Sequence, residues 1–278
     1  MVPWDSLIRF AGEDSAEYWA ALAMDEMPKV GLQLEGFASI EDLESNKGAK
    51  KVTVKKLLAP TPNQTDPIYC IGLNYRNHAE EAGLTIPANP PMWYKPAAAL
   101  SNPDEDVPFP LCTQSNFPDY EGELTVILRG PIKTISKADA APSILGYTVG
   151  NDLTARLFQD PKRSGGQYTF AKAFDKFAPL GPRLVHPSKF KPGEATVTTR
   201  LNGKVMQNSP LDFIVSVEDL VHFLAQGTTV PYGSAIMTGT AAGVGWFHKP
   251  QVSLKDGDVV EVEIQPIGIL KNKIVFEK

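Results

Sequence analysis

The sequence predicts an α+β, mostly β fold, and three observations carry that prediction. Pro and Gly are abundant, with 24 and 22 copies in 278 residues, and so many chain breakers suit short strands and loops better than a helical bundle. From residue 68 onward, short apolar or alternating runs recur between turn residues, as strands require. Helical periodicity is confined to a few short stretches, which argues against alternating βαβ units. The length suits one large domain or a large domain with a small companion and is enough to bury a sizeable core.

In chain order, residues 6–10 read as a short strand and 15–27 as a helix capped by Asp14 or Ser15. Residues 35–51 are charged and weakly patterned, and 52–58 are extended. The Pro-rich segment Ala59-Pro-Thr-Pro-Asn-Gln-Thr-Asp-Pro67 marks a soft boundary. It divides a small N-terminal domain, 1–66, from a larger domain, 67–278. In the larger part, 68–73, 121–128, 144–149, 196–201 and 235–238 read as strands. Residues 259–264 and 269–276 make a closing hairpin introduced by the turn Lys255-Asp-Gly-Asp258. Helices are expected over 77–82, 152–159 and 216–226.

Charge and composition exclude several function classes. The net charge is −5, and no Lys/Arg run is dense enough to grip nucleic acid. Lys50-Lys51 and Lys55-Lys56 lie among Val and Leu and read as a solvated strand face. An acidic protein acting on an anionic substrate needs a local positive centre, such as a bound cation. Residues 1–10 hold Asp5 and Arg9 and no long apolar run, unlike a signal or transit peptide. No segment approaches the roughly 20 apolar residues that span a bilayer, so the expected partners include no membrane and the expected location is cytoplasmic. Cys70 and Cys112 sit among apolar residues and read as reduced, buried thiols.

The stretch Asp119-Tyr-Glu-Gly-Glu-Leu-Thr-Val-Ile-Leu128 is the most informative. On a strand, Glu121 and Glu123 share one face, while Leu124, Val126 and Leu128 share the other. Paired carboxylates repel unless a cation lies between them; the plainer reading is a solvated acidic face. Asp152 follows the next strand, and on a helix Asp152, Arg156 and Gln159 would share a face. A third carboxylate beside the two glutamates would complete an all-oxygen site suited to magnesium, manganese or calcium and not to zinc. A helix with an Asp cap and an Asp–Arg surface pair explains the same residues without a metal.

Three further segments carry chemistry. In Asn74-Tyr-Arg-Asn-His-Ala-Glu-Glu-Ala-Gly83, Asn77 would cap a helix that Gly83 ends, with Glu80 completing a capping box. His78 and Glu81 are then neighbours, the arrangement of a general base oriented by a carboxylate, or simply a surface His beside a Glu. Lys172, flanked by Phe170, Ala171, Ala173 and Phe174, is either buried and in need of an anion or a snorkelling surface lysine. The Gly-rich stretch from Met237 to Gly245 could hold a carboxylate through its amides and the Thr240 hydroxyl, or be a plain turn. It lacks both nucleotide-binding glycine patterns.

Taken together and in order, these pieces resemble the fumarylacetoacetate hydrolase family from about residue 68 to the C-terminus. The resemblance rests on Gly72-Leu-Asn-Tyr-Arg-Asn-His78, Asp119-Tyr-Glu-Gly-Glu123, Gly146-Tyr-Thr-Val-Gly-Asn-Asp152 with Ala155-Arg156 and Gln159, Lys172-Ala-Phe-Asp175 with Pro179-Leu-Gly-Pro182, Thr238-Gly-Thr240 and Leu254-Lys-Asp-Gly-Asp258. It implies a mixed β roll, a homodimer, and Glu121, Glu123 and Asp152 as ligands of Mg2+ or Mn2+, with Ca2+ also compatible. It implies His78 and Glu81 as a mobile catalytic pair, Lys172 as the active-site lysine, and Arg156, Gln159, Lys95 and Thr240 as substrate-contacting residues. Two departures, Leu157-Phe158 after Arg156 and Ala241 in place of a Pro, bear on substrate contacts and loop rigidity.

The implied reaction is C–C hydrolysis of a small acylpyruvate or β-diketo acid, with the cation as Lewis acid. Lys172 and Arg156 would add positive charge near the developing oxyanion, and His78 would activate water or move a proton. Tautomerisation or decarboxylation of oxaloacetate would use the same site. A cation-stabilised binding protein is the rival from another class; the trio His78, Glu81 and Lys172 argues against it.

Overall fold

The computed structural model describes residues 4–278; residues 1–3, part of the expected N-terminal domain and of the leader reading, lie outside the described residues. Two sheets dominate. The larger has 11 strands, and its main path runs Gln33–Gly36, Lys50–Leu58, Ser6–Gly12, Ala178–Val185, Ile144–Asn151, Gly122–Leu128, Ala235–Thr240, Ile68–Ile71 and Met92–Lys95. The smaller has five: Lys204–Pro210, Thr196–Leu201, Val259–Ile264, Gly268–Phe276 and Val107–Phe109. Antiparallel and parallel pairings coexist: Ala235–Thr240 runs antiparallel to Gly122–Leu128 but parallel to Ile68–Ile71. This is the mostly β architecture that the strand-like runs predicted, and its mixed pairing is what the family resemblance implied.

Alternation explains the layering. Leu124, Val126, Val149 and Val185 from the large sheet meet Val197, Val262, Ile264 and Leu270 from the small one in one apolar cluster. Each such side chain contributes roughly 1.5–3 kcal/mol when taken from water. The opposite face of the central strand is buried too, because Ile127 packs with Leu180, Leu184 and Met237. The strand carrying Glu123 is therefore buried on both faces, which the sequence pattern alone did not indicate. The N-terminal strands join the large sheet where Ser6 and Leu7 pair with Val185 and Leu184.

Three local expectations are corrected. Residues 15–27 form no helix: Glu17–Leu22 is a strand paired with Ser6–Gly12 over six residues. Asp14 is a turn residue that accepts the Ala16 amide, and Ser15 adopts φ 65°; pairing of Tyr18 and Trp19 into the sheet overrides the helix-forming alanines. The 152–159 helix is absent as well. Thr154–Ala155 pairs with Pro118–Asp119, and only Arg156–Gln159 coils, as a 3-10 turn. Leu153 is drawn into the core, which pulls this stretch off a helical path. Cys112 is exposed, on the short helix Leu111–Gln114, whereas Cys70 is buried. Among the described residues no helix is long and apolar enough to cross a membrane.

Candidate active site

Backbone pairing brings the three carboxylates together. Glu121 precedes the strand Gly122–Leu128 and Glu123 lies within it. The Asp152 amide donates to the Glu121 carbonyl (2.9 Å), and the Glu121 amide donates to the Asn151 side chain (3.1 Å). One oxygen from each of Glu121, Glu123 and Asp152 lies within 4.8 Å of the others, and all three residues are buried. Gln207, from the small sheet, accepts the Gly122 amide (3.0 Å) and donates to the Thr240 hydroxyl (2.8 Å), fixing the peptide between the glutamates.

Three cations surround this cluster, Lys172 and Lys95 buried and Arg156 partly exposed. Lys172, on the short helix Thr169–Lys172, donates to Asp152 Oδ2 (2.6 Å) and Glu121 Oε2 (2.8 Å), with its ammonium 4.8 Å from the centre of the Trp93 ring. Arg156 donates to Glu121 Oε1 (2.6 Å) and to Asp119 Oδ2 through Nε and Nη2. Lys95 contacts Asp152 Oδ1 at 2.6 Å, while hydrogen-bonding the Leu153 and Phe177 carbonyls. Burial pushes the Glu121 carboxyl up, but Lys172 and Arg156 outweigh it and bring Glu121 down to about 2. Glu123 goes the other way: burial, then Asp152 and Glu121, raise it well above the usual carboxylate range, against Lys172 and the Gly239 amide.

With Asp119 included, four carboxylates face three cations, so one negative charge is unmatched. A proton on Glu123 or a cation in the cluster cancels the same excess. A donor set made only of buried carboxylate oxygens fits a hard divalent cation.

The histidine lines the same cavity as Glu121. The helix Arg76–Ala82 is held by Asn74, whose side chain donates to the Thr238 carbonyl (2.8 Å) and accepts the Val215 amide (2.8 Å). His78 Nδ1 lies 3.4 Å from Glu81 Oε1, and Glu81 Oε2 accepts the Gly243 amide (2.7 Å). Between histidine and carboxylates lies a cavity of about 580 Å3, lined by His78, Glu121, Arg156, Gln159, Lys172 and Thr240 and by an apolar wall that includes Trp93, Tyr168, Trp246 and Phe247. A histidine backed by a carboxylate and one edge of the carboxylate cluster thus line one space.

A family profile described as fumarylacetoacetate (FAA) hydrolase C-terminal matches residues 67–275. The chain belongs to the fumarylacetoacetate hydrolase family. Among its relatives is a human protein named oxaloacetate tautomerase FAHD2A, mitochondrial, 38% identical over 220 residues, covering 78% of this chain and 69% of that protein. The structure resembles that of a 5-carboxymethyl-2-hydroxymuconate delta-isomerase from Mycobacterium smegmatis, with a TM-score of 0.79, 30% identity and coverage of 98% and 99% of the two chains. It also resembles a 2-hydroxyhepta-2,4-diene-1,7-dioate isomerase from Mycobacterium marinum, with a TM-score of 0.77, 29% identity and coverage of 98% and 99%.

The structure places each expected residue. Six of the ten line the cavity; Glu123 and Asp152 lie in the cluster behind it, and Glu81 lies behind His78. Lys95 does not contact the cavity: it is fully buried behind Asp152, so its expected place beside the substrate is corrected to one behind a carboxylate. Arg156 pairs with Asp119 and Glu121 instead of Asp152, because the helix that would have aligned Asp152 with it is absent. Thr240 donates its hydroxyl proton to the Gly122 carbonyl (3.0 Å). The glycine-rich stretch does hold carboxylates, but the protein's own: Gly239 and Gly243 donate to Glu123 and Glu81. The helix cap is also corrected. The cap position is Tyr75, and Asn77 bonds Ser209 and Ala242 instead; Gly83 ends the helix at φ 63° as expected. Asp119, Gln207 and Asn74 were not singled out from sequence. Asp119 and Asn74 lie inside the motifs that carry the family resemblance, whereas Gln207 has no local signal.

Proposed function

We propose that this protein moves a proton between the keto and enol forms of a small 2-oxo acid of the oxaloacetate type. The observation that carries the reading is that His78, Glu121 and Lys172 line one cavity. The cation proposed for Glu121, Glu123 and Asp152 is Mg2+ or Mn2+, which would polarise the keto acid as a Lewis acid. Lys172 has two of its three N–H donors on carboxylates, leaving one for a substrate oxygen as negative charge develops there. Because His78 Nδ1 faces Glu81, Nε2 is the nitrogen left to act. It takes the proton from the carbon beside the ketone as the C–H pair becomes C=C and the carbonyl pair moves to oxygen. A proton delivered to that oxygen completes the enol, and the reverse sequence restores the ketone.

C–C hydrolysis of an acylpyruvate is the second reading, with His78 activating water instead. Two observations favour tautomerisation: the human relative's name specifies it, and the two Mycobacterium structures described above are named isomerases, although another similar structure, from Exiguobacterium antarcticum, is named a fumarylacetoacetate hydrolase. The discriminating assay follows the ultraviolet absorbance of enol-oxaloacetate, and pyruvate release from acetylpyruvate, with Mg2+, Mn2+ or chelator. Tautomerisation predicts metal-dependent decay of the enol without pyruvate release from either substrate. Pyruvate from acetylpyruvate, with no acceleration of oxaloacetate tautomerisation, would replace the first reading with the second.

A further inference from the structure

A continuous set of contacts joins the carboxylate cluster to His78, and it passes through Asp119. Arg156 donates from Nη1 to Glu121 Oε1 (2.6 Å) and from Nε and Nη2 to Asp119 Oδ2 (3.1 and 2.8 Å). Asp119 also accepts three backbone amides: Tyr120 (2.9 Å) and Gly245 (2.8 Å) on Oδ1, and Trp246 (3.1 Å) on Oδ2. Glycine is required at 245, where a Cβ would lie 2.0 Å from the Val252 carbonyl oxygen and 2.6 Å from Asp119 Oδ1. Two residues earlier, the Gly243 amide donates to Glu81 (2.7 Å), whose other oxygen faces His78. The Gly243 carbonyl accepts the Tyr120 hydroxyl (3.1 Å), so the loop is tied a second time to the neighbour of Asp119.

We propose that Asp119 is a positioning residue that couples the cation cluster to the proton-moving histidine. On one side it holds Arg156 against Glu121; on the other it holds the loop that presents Gly243 to Glu81. The inference rests on the metal-dependent reading above. Asp119 is fully buried and does not line the cavity, so it acts through Arg156 and the loop and not on substrate. A carboxylate suits the place because it can take a guanidinium and three amides at once. An amide side chain keeps one acceptor oxygen, and its NH2 group is repelled by the donors it meets. Loss of a purely structural ion pair would lower stability alone. A coupling residue also transmits occupancy of the cluster to the loop, and the transmission is reciprocal.

Segment-resolved hydrogen exchange on the whole chain, with and without Mg2+, tests this. In the wild type, Mg2+ is expected to slow exchange at 121–128 and also at 241–247 and 76–83, by about fivefold or more. In Asp119→Asn, the response at 121–128 should persist while the response at 241–247 and 76–83 disappears. Its kcat should fall about tenfold or more with a smaller change in KM, as expected when only the reacting geometry is lost. An undiminished loop response in Asp119→Asn overturns the coupling. If that variant fails to fold, the wild type still decides: a Mg2+ response at 121–128 with none at 241–247 and 76–83 also overturns it. No response anywhere sinks the metal-dependent reading and the coupling with it, so the two failures are told apart.

Discussion

Lys172 donates to Asp152 at 2.6 Å in a place where both side chains are withdrawn from water. Burial opposes the ammonium, but Asp152 and Glu121 outweigh it and hold Lys172 above the usual lysine range. The lysine is thus a fixed positive charge and not a free amine. Lys172→Met leaves two buried carboxylates without their shared partner. It should cost about 3–5 kcal/mol in the metal-free protein, the usual penalty for stranding a buried charge, and added Mg2+ should recover part of it. Denaturant titration with and without metal reads this directly. Lys172→Arg should restore little activity, because a planar fork does not replace a compact point charge. Borohydride should trap no adduct with substrate; a trapped imine at Lys172 would favour an aldolase-like route over the one proposed.

Glu123→Gln separates metal binding from folding. Its carboxyl is pushed toward the neutral form by burial and by its two acidic neighbours, and a neutral amide imitates that form. The variant should therefore be as stable as the wild type without metal. Metal affinity should fall by more than the roughly 100-fold that an outer-shell change can cost, because a ligand itself is altered. Calorimetric titration with Mn2+ measures the loss; wild-type affinity in Glu123→Gln would remove Glu123 from the ligand set.

How much of this could be read from the sequence depends on whether the signal was local. The shared face of Glu121 and Glu123 follows from strand alternation, and the structure places both carboxylates in one cluster. The arrival of Asp152 beside them depends on the pairing of Gly122 with Asn151, which no local pattern reports; the motif resemblance supplied it. The helix expected at 152–159 failed because Leu153 and Thr154 are drawn into the core and a two-stranded ladder. The helix expected at 15–27 failed for the same kind of reason, a hairpin partner outweighing propensity. Gln207 owes its importance to partners far away in sequence, so its own neighbourhood says nothing of it, and Asp119 sits within a motif that does not reveal its bonds to Arg156 and Gly245.

His78→Ala isolates the proton step. The imidazole faces the cavity but does not belong to the carboxylate cluster. Its removal should lower kcat by ~10²–10⁴-fold, the usual worth of a general acid–base group, with metal affinity nearly unchanged. Glu81→Gln should lower kcat less, since the Gly243 amide still finds an acceptor oxygen while the orienting charge is gone. An unaltered kcat in His78→Ala on the true substrate excludes His78 from the reaction.

Away from the site, Glu105 sets a pH dependence of stability. Its Oε1 accepts from Lys176 (2.9 Å) and Lys56 (3.3 Å), and its Oε2 accepts the Asn102 amide (3.1 Å). Burial pushes this carboxyl up, but Lys176, the Asn102 amide and Lys56 outweigh it and lower it from 4.5 to about 2. A lowered carboxylate stabilises the fold fully above its unfolded value and loses that contribution as pH falls toward the folded value. The shift corresponds to roughly 3 kcal/mol if nothing screened it. Lys56 and Lys176 are both substantially exposed, so solvent screening reduces the contribution to about 1–2 kcal/mol. Glu105→Gln should therefore cost about that much near neutral pH. The gap between variant and wild type should close as pH drops from the mid-fours toward two, because the wild-type carboxyl is then neutral as well. Urea titrations at neutral pH and at the lowest pH where both proteins stay folded provide the comparison. A gap independent of pH would assign the stabilisation to hydrogen-bond geometry around Asn102 and not to the charge on Glu105.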